Sequence, residues 1–513
     1  MLAKVMSSTV IGVDGVPIEV EVDIAFGLPM FSTVGLPEGA VRESKDRVKA
    51  AINNSGYDFP QNKITVNLAP ADVKKSGSGY DLPMAIGILA ASGIIKDSIH
   101  PHYCIVGELS LDGGVRPVSG ILPMTLAARE QGLKGVIVPD ANKAEAAIVD
   151  GIDVIAVEFL HQAVEFVAGL KAITPFSVDC QTLFFDSRVF DVDFEDVKGQ
   201  EHVKRALEIA ASGGHNILMK GPPGSGKTML ARRLPTILPD LTFAEALETT
   251  KIYSIVGTLP QGRALLSTRP FRAPHHTISD AGLIGGGSNP KPGEVSLAHN
   301  GVLFLDELPE FKKHVLEVLR QPLEDGTVTI ARANSAVCFP SRFVLAVALN
   351  PCPCGFFGDK RNQCNCNAGQ IQRYESRLSG PLLDRIDLHL EVPALPFQEM
   401  SAVKKGESSH HIRKRVVATR NIQKDRFEER RNLHCNSQMG PKEIEKYCAL
   451  DSGSMKLLEK SVERLRLSAR AYHRILKIAR TIADMDTQES IQLAHVAEAI
   501  QYRRMNTHNF IYR

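Results

Sequence analysis

A glycine-rich loop followed by lysine and threonine is the strongest chemical signal in the sequence. Its residues are Gly221, Pro222, Pro223, Gly224, Ser225, Gly226, Lys227 and Thr228, which match the pattern G-x-x-x-x-G-K-[ST]. Glycines let successive backbone N–H groups turn onto phosphate oxygens without obstruction by a Cβ atom. The pattern predicts an ATP-binding loop in which Lys227 contacts the β- and γ-phosphates, Thr228 ligates Mg²⁺, and Met229 continues into a helix.

Two apolar runs further along the chain end in polar side chains. Residues 302–305 precede Asp306 and Glu307, and this run is typical of a buried parallel strand. Asp306 is expected to complete the Mg²⁺ site and Glu307 to orient or activate the attacking water. Residues 343–349 end at Asn350, which is expected to sense the γ-phosphate or that water. The alternative is that both strands merely end in polar residues.

Four of the nine cysteines form a separate metal-site candidate. They are Cys352, Cys354, Cys364 and Cys366. Four thiolates satisfy tetrahedral zinc, and a bound metal would order a loop too short to form a core. The C-x-C spacing is tighter than usual, so redox-active thiols and unligated cysteines remain alternatives. The adjacent pair His275 and His276 is a weaker candidate, because neighbouring histidines point in different directions on most backbones.

Length and composition indicate an ordinary globular protein. The chain has 513 residues, of which 43% are hydrophobic and 23% charged. At about 150 residues per domain, roughly three domains are expected. The net charge of +2 gives no global reason to expect a nucleic-acid partner. The N-terminus lacks a secretory pattern, and the longest uncharged apolar run, 82–95, is shorter than the roughly 18 residues of a membrane span. We therefore expect a cytoplasmic protein with no membrane partner.

Three stretches differ in their periodicity. Residues 1–170 alternate strand-like and helix-like segments, as in a mixed α+β domain, and 171–192 are expected to be a linker. Residues 193–395 have the pattern of an α/β nucleotide-binding core that includes the cysteine loop. Helical patterns dominate 396–513. The predicted fold class is therefore a multidomain combination of α+β, α/β and helical parts.

The motifs together resemble a known family. The order of the glycine-rich loop, the Asp-Glu pair and the asparagine, with 197–200 upstream, resembles AAA+ ATPases. The segments that narrow the resemblance to the magnesium-chelatase-like AAA+ proteins of the ComM/YifB family are 270–276, 293–301, 379–389 and 479–484. This resemblance covers nearly the whole chain. It implies a hexameric ATPase that acts as a DNA branch-migration helicase in natural transformation, with forked, branched or single-stranded DNA and recombination proteins as partners.

The resemblance also assigns two arginines. Arg385 occupies the position of the arginine that enters a neighbouring subunit's ATP site, where a guanidinium stabilises charge on the phosphoryl oxygens. Arg470 opens a helix of the C-terminal lid where a sensor-2 arginine is expected. Arg377 competes with Arg385 for the finger role, and ordinary surface pairing is the alternative for each.

The first domain resembles the proteolytic domain of Lon, which has the ribosomal S5 domain 2-like fold. Aligning the motifs 75–84 and 106–120 puts Gly79 at the position of the nucleophilic serine and Leu122 at that of the lysine. Ser76 and Ser78 lie nearby, but a serine without a positioned base is not an activated nucleophile. The resemblance therefore implies a non-proteolytic domain, as a DNA-binding or ring-assembling platform.

Extra loops and a basic segment are candidate DNA contacts. A turn signal at 324–327 predicts a hairpin, and Lys291, Arg332 and Arg342 are candidate phosphate contacts. Residues 404–431 contain ten Lys/Arg and four acids. A solvated surface is the alternative for all of these cations.

Two other functions remain possible. A chelatase motor for Mg²⁺ insertion into a porphyrin would show an ATPase activity indifferent to DNA, and the Lon-like domain argues against it. An ATP-dependent peptidase is disfavoured by Gly79 and Leu122.

Overall fold

The computed structural model describes residues 1–75, 77–96, 100–179, 184, 190–260, 263–287, 289–332, 335–359, 361–394, 406–430 and 433–503. The strands are β1 (Leu2–Ile11), β2 (Asp14–Ala25), β3 (Met30–Val34), β4 (Lys63–Ala69), β5 (Tyr103–Ile105), β6 (Glu108–Leu109), β7 (Val115–Arg116), β8 (Gly135–Pro139), β9 (Asp153–Val157), β10 (Ile217–Lys220), β11 (Phe271–Arg272), β12 (Gly285–Gly286), β13 (Lys291–Pro292), β14 (Val302–Leu305), β15 (Thr327–Arg332), β16 (Ser335–Pro340), β17 (Val344–Leu349) and β18 (Leu388–Glu391).

The α-helices are α1 (Gly39–Arg42), α2 (Ser44–Asn54), α3 (Asp81–Ala91), α4 (Ile121–Glu130), α5 (Lys143–Ala146), α6 (Leu160–Val167), α7 (Glu201–Gly213), α8 (Lys227–Ile237), α9 (Phe243–Val256), α10 (Asp280–Ile284), α11 (Glu294–Leu297), α12 (Lys313–Glu317), α13 (Arg320–Asp325), α14 (Ala368–Glu375), α15 (Gly380–Leu383), α16 (Ser409–Arg426), α17 (Pro441–Tyr447), α18 (Ser452–Leu465), α19 (Ala469–Met485) and α20 (Leu493–Gln501). Short 3-10 helices lie at His100–His102, Asp140–Asn142, Phe194–Asp196, Leu308–Glu310 and Asn436–Gln438.

A seven-stranded mixed sheet organises the first part of the chain. Its order is β3-β4-β2-β1-β5-β8-β9, with β2 antiparallel to both β1 and β4. In β2, Ile18, Val20 and Val22 are fully buried, whereas Glu19 and Glu21 between them are partly exposed. This is the period of two that a half-buried strand requires. Helix α3 is buried at every position, because its residues are apolar on all sides. The alternation of strand and helix segments expected for residues 1–170 is confirmed.

A second sheet of five parallel strands forms the centre of the chain. Its order is β11-β14-β17-β10-β18, so the first strand in the sequence, β10, lies between the fourth and the fifth. Every residue of β14 and β17 is buried. Burial on both faces explains why these strands are continuous apolar runs, and the two predicted strands are confirmed.

The C-terminal helices pack directly on this second sheet. Ile475 and Ile482 of α19 belong to the same hydrophobic core as Ile217 of β10 and Phe304 of β14. After Glu391 the described residues contain no strand, only one isolated bridge between Leu450 and Ile491. Within the described ranges, every helix is either too short or too polar for a membrane span.

The two sheets are joined at a seam between α4 and α9. Gly120 donates its N–H to the carbonyl of Ser254 at 3.0 Å, and the Ser254 hydroxyl donates in return to the carboxylate of Glu145. Glu145 also accepts the N–H of Leu122 at 3.0 Å. The fully buried Leu122 side chain lies in one hydrophobic cluster with Leu241 of the second part. The seam therefore combines hydrogen bonds, which we call the clamp, with packing between apolar side chains of the two parts.

The predicted position of one hairpin turn is wrong. Residues 324–326 end α13, where Gly326 adopts a left-handed conformation with φ 65°. An Asp-Gly pair closes a helix as readily as it closes a hairpin, because glycine accepts positive φ at a helix C-terminus. The hairpin itself is formed by β15 and β16, whose connecting turn at 333–334 lies outside the described residues.

The basic segment 404–431 is largely engaged inside the protein. Arg413 donates to the carbonyl of Thr236, Arg420 donates to that of Ala211, and Arg426 binds the carboxylate of Asp484. Arg415 pairs with Glu208 and Glu407. These four arginines fasten α16 to its neighbours, so the structure favours a structural role for this part of the segment over a free DNA-binding face. Residues 404, 405 and 431 lie outside the described residues.

The seam yields a prediction. We expect Glu145→Ala to lower the free energy of unfolding by about 1–3 kcal/mol, since three donors, the Leu122 N–H, the Ser254 hydroxyl and the Asn142 amide, lose their acceptor. Urea unfolding measures the change, and Glu130→Ala on exposed α4 surface is the control. Equal stability of the two variants would contradict the clamp.

Candidate active site and four-cysteine loop

The glycine-rich loop lies at the carboxyl edge of the second sheet. It connects β10 to α8, and Gly226 at the start of the helix has φ 87°. Gly224 has φ 73°, and a Cβ atom there would meet nothing within 4 Å. Gly221 is needed for the opposite reason, because its Cβ would lie 2.1 Å from the carbonyl oxygen of Val392. The loop is therefore packed against the sheet at one end and open at the other, as a phosphate cradle must be.

Lys227 carries a buried cation into this cradle. Its side chain is 8% exposed, and its Nζ donates to the carbonyls of Gly221 and Pro222 at 2.7 and 2.9 Å and to Asn350 Oδ1 at 3.3 Å. Burial lowers the pKa of Lys227, against the opposing carboxylates of Asp306 and Glu307. Among the described residues the ammonium hydrogen-bonds neutral oxygens only, so an anionic ligand fits this site.

Asp306 and Glu307 end β14 beside the helix start. Thr228 Oγ1 donates to Asp306 Oδ2 at 2.7 Å, so the two oxygens expected around Mg²⁺ are adjacent. Glu307 has a positive φ of 52°, which is uncommon for a residue with a side chain, and its carboxylate is 55% exposed. The Glu307 N–H donates to Asp306 Oδ1 at 3.0 Å, and its carboxylate lies 3.9 Å from His276 Nδ1. The donor set fits a magnesium–nucleotide complex.

Two further side chains complete the edge. Asn350 ends β17 and reaches Lys227, which brings the third predicted motif into the site. Gln200 was not predicted: its Nε2 donates to the carbonyls of Ser225 at 2.9 Å and Pro393 at 3.2 Å, and so holds the loop from behind. The motif 197–200 was recognised in the sequence, but nothing in the local pattern indicated this contact with a loop 25 residues away.

The four predicted cysteines lie together. The sulfur atoms of Cys352, Cys354, Cys364 and Cys366 are all within 4.8 Å of one another. Sγ–Sγ distances are 3.3 Å for 352–354, 3.7 Å for 352–364 and 3.6 Å for 354–364. A tetrahedron with Zn–S bonds of about 2.3 Å has edges of about 3.8 Å. The cluster therefore has the size of a zinc tetrathiolate.

Backbone donors surround these sulfur atoms. The Phe357 N–H donates to Cys352 Sγ at 3.3 Å, and the Cys366 N–H donates to Cys364 Sγ at 3.4 Å. The N–H groups of Phe356 and Asn365 lower the pKa of the Cys354 thiol to about 6. The neighbouring cysteines raise the pKa values of Cys364 and Cys366, so the backbone donors favour the thiolate, the metal-binding form, at Cys354. His275 and His276, by contrast, lie ring against ring at 4.0 Å and outside this cluster.

The two predicted arginines lie at the opposite edge of the sheet. Asn216, which precedes β10, donates to the carbonyl of Arg385 at 3.2 Å. Arg385 is 7% exposed and its guanidinium pairs with Glu324 at 2.5 Å. Arg470 is exposed in the first turn of α19, one turn before Arg474, which also donates to the Arg385 carbonyl. Neither arginine can reach the glycine-rich loop of its own chain, because the strands separate them.

The competing arginine is more accessible. Arg377 is 52% exposed and pairs with Glu310 at 2.9 Å, just beyond β14. Arg385 would have to leave Glu324 before it could act on a neighbouring molecule.

The candidate proteolytic position contains no acid–base group. A Cβ at Gly79 would meet Val106 and Val118, and Leu122 is fully buried in the seam. Ser78 donates to Glu108, a carboxylate, rather than to a lysine or histidine. Ser76 lies outside the described residues.

The candidate DNA contacts come from two insertions that touch. A Cβ at Gly285 would lie 3.0 Å from Ile330, so the β12–β13 ribbon packs on the β15–β16 hairpin. Lys291 is exposed on the ribbon, and Arg342 is exposed at the hairpin base beside Gly326. Arg332 ends β15.

Comparison with known families covers most of the chain. Three family models match: "Magnesium chelatase, subunit ChlI" at 193–400, "Subunit ChlI of Mg-chelatase" at 20–142, and "Magnesium chelatase, subunit ChlI C-terminal" at 406–503. In the sequence, the Lon-like first domain argues against a chelatase motor. The match at 20–142 weakens that argument, because a chelatase family model also covers this domain.

Two relatives match over 98% of this chain, and a third matches over a shorter stretch. Competence protein ComM of Haemophilus influenzae is 45% identical over 98% of this chain and 98% of its own. The uncharacterized protein YifB of Escherichia coli is 44% identical over 98% of this chain and 97% of its own. Lon protease 2 of Bacillus subtilis is 32% identical over 24% of this chain and 22% of its own.

The cysteine cluster yields a prediction. We expect one zinc ion per chain in protein purified under reducing conditions, and loss of that zinc in Cys364→Ser, because a tetrahedral site needs all four thiolates. Metal analysis by mass spectrometry measures both. Cys338→Ser, at an exposed cysteine outside the cluster, should keep the zinc. Metal-free wild-type protein would contradict the assignment.

Proposed function

Because the chain belongs to the ComM/YifB family of magnesium-chelatase-like AAA+ proteins, we propose that it is an ATP-hydrolysing, ring-forming DNA motor. The observation that carries the proposal is the assembly of Lys227, Thr228 and Asp306 at one sheet edge, with the buried ammonium facing an open cradle. In finer terms, the motor is a branch-migration helicase for recombination during natural transformation. The name of the competence relative supports that biological setting.

The residues divide the work of phosphoryl transfer. ATP with Mg²⁺ supplies the reactive phosphoanhydride when bound. Lys227 and the loop N–H groups hold the phosphate chain, and Thr228 with Asp306 holds the metal shell. Glu307, whose side chain is exposed, orients the attacking water and accepts its proton. Asn350, already within reach of Lys227, fixes the position of the terminal phosphate.

Ring assembly follows from the positions of the arginines. Arg385 and Arg470 lie at the sheet edge opposite to their own glycine-rich loop, so they can contribute only to a site on another copy. A head-to-tail ring, such as a hexamer, brings one copy's arginine edge to the next copy's nucleotide edge. Arg385 leaves Glu324 when the neighbouring site binds ATP.

The insertions supply the DNA contacts. Lys291, Arg342 and the β15–β16 hairpin belong to one exposed assembly, and cations grouped in this way bind a phosphate backbone through counterion release. Affinity for DNA should therefore fall steeply with salt.

A chelatase-type motor is the second candidate. The three family models favour it, since all carry chelatase descriptions. Full-length identity to the competence relative favours the DNA motor. A peptidase is not supported, because the Gly79 and Leu122 positions lack catalytic groups.

A hydrolysis assay separates the two candidates. We expect forked, four-way or single-stranded DNA to stimulate ATP hydrolysis and forked DNA to be unwound. Lys227→Ala should abolish nucleotide binding, whereas Glu307→Gln should bind nucleotide but not hydrolyse it. A hydrolysis rate indifferent to every DNA, with no unwinding, would support the chelatase-type motor instead.

Mixed assemblies test the arginine finger. We expect Arg385→Ala to lower hydrolysis by on the order of 10³ while nucleotide binding remains. Glu324→Gln removes the same ion pair but keeps the guanidinium, so it should retain hydrolysis. Mixing Arg385→Ala with Lys227→Ala should restore part of the activity, since each arginine serves a neighbour. If mixing Arg385→Ala with Lys227→Ala restores no hydrolysis, while Arg377→Ala is inactive alone and regains hydrolysis when mixed with Lys227→Ala, then the finger is Arg377.

A further inference from the structure

The four-cysteine loop forms one wall of the nucleotide cradle. Gly355 of this loop packs so closely on the glycine-rich loop that a Cβ would lie 2.6 Å from Pro223 Cδ. Between the two loops lies a cavity of about 370 Å³. One side is lined by residues 223–226 and Met229, the other by Asp359, Arg361 and Asn362. The cysteine loop is therefore a part of the cradle rather than a separate module.

The tip of the cysteine loop is built to hold an arginine at the cavity. Asp359 accepts the N–H of Arg361 at 3.0 Å and the Nδ2 of Asn362 at 3.1 Å, which fixes the backbone of the tip. The Arg361 side chain is exposed, and among the described residues its guanidinium has no hydrogen bond or ion pair. The fold thus presents a cation to a cavity whose other wall is the glycine-rich loop.

The glycine-rich loop and the Arg361 guanidinium favour a phosphate chain, since arginine binds phosphate through two parallel hydrogen bonds. The Asp359 carboxylate lies on the same wall and disfavours an anion, but both of its oxygens accept hydrogen bonds from the tip. We propose that Arg361 is a second nucleotide-binding cation, which contacts the phosphate chain from the side opposite to Lys227. The inference rests on the proposed ATP site.

The cysteine cluster determines whether Arg361 is in place. Cys352 and Cys354 hold one end of the tip and Cys364 and Cys366 hold the other, so the cluster closes the loop on which Arg361 stands. Loss of this cross-link frees the tip and removes the guanidinium from the cavity, while the glycine-rich loop keeps its own contacts. The cluster thereby links metal or redox state to nucleotide affinity.

Equilibrium binding of a fluorescent, non-hydrolysable ATP analogue tests the proposal without an activity readout. We expect Arg361→Ala to weaken binding about tenfold or more, as for the loss of a charge-assisted hydrogen bond, and Arg361→Lys to recover part of it. Arg373→Ala, at an exposed arginine on α14, should bind like wild type. Competition with inorganic tripolyphosphate should show the same loss, whereas competition with adenosine should not.

The cluster is tested by combining variants. We expect Cys364→Ser to weaken binding in the wild-type background by a similar factor and to add little in Arg361→Ala. Unchanged affinity in Arg361→Ala, or a full additional loss in the double variant, would overturn the inference. Lys227→Ala distinguishes failure of the proposed ATP site from failure of the inference about Arg361. If Lys227→Ala also binds the analogue like wild type, the proposed ATP site is wrong. If Lys227→Ala weakens binding and Arg361→Ala does not, only the inference about Arg361 is wrong.

Discussion

The parallel direction of the five central strands determines where every catalytic group can lie. Parallel strands bring their carboxyl ends to one edge, so the glycine-rich loop, Asp306 and Asn350 meet although they are far apart in sequence. The same geometry sends the segment before β18, with Arg385, to the other edge. The two predicted groups of residues therefore lie at opposite edges of one sheet. The proposed ring is an arrangement that brings the arginine edge of one copy to the nucleotide edge of the next.

The desolvated ammonium of Lys227 connects this geometry to ligand binding. Burial lowers its pKa, and the carbonyls of Gly221 and Pro222 compensate only in part for lost water. An anion that enters the cradle relieves this cost and favours the charged lysine. The incompletely compensated desolvation of the Lys227 ammonium then favours nucleotide binding. A second cation at Arg361 would act on the same anion.

The features predicted from sequence were those encoded in a few neighbouring residues. The glycine-rich loop, the strands ending at Asp306 and Asn350, and the cysteine pairs each depend on a local pattern. Contacts between distant residues were not predictable, as with Gln200 behind the loop or Glu324 on Arg385. The predicted hairpin turn was misplaced for another reason, because an Asp-Gly pair such as Asp325-Gly326 occurs both at helix ends and in turns. The partners of the basic segment were not predictable either, because Arg413 and Arg420 bind carbonyls, and Arg426 a carboxylate, that are remote in sequence.

The seam accounts for the apolar side chain at position 122. Leu122 is fully buried against the second part of the chain, and its backbone N–H is held by Glu145. An ammonium at this position would have to be desolvated in a cluster that includes Leu241, at a cost of several kcal/mol. A leucine meets this constraint, because its apolar side chain packs in the cluster while its backbone N–H is bound by Glu145.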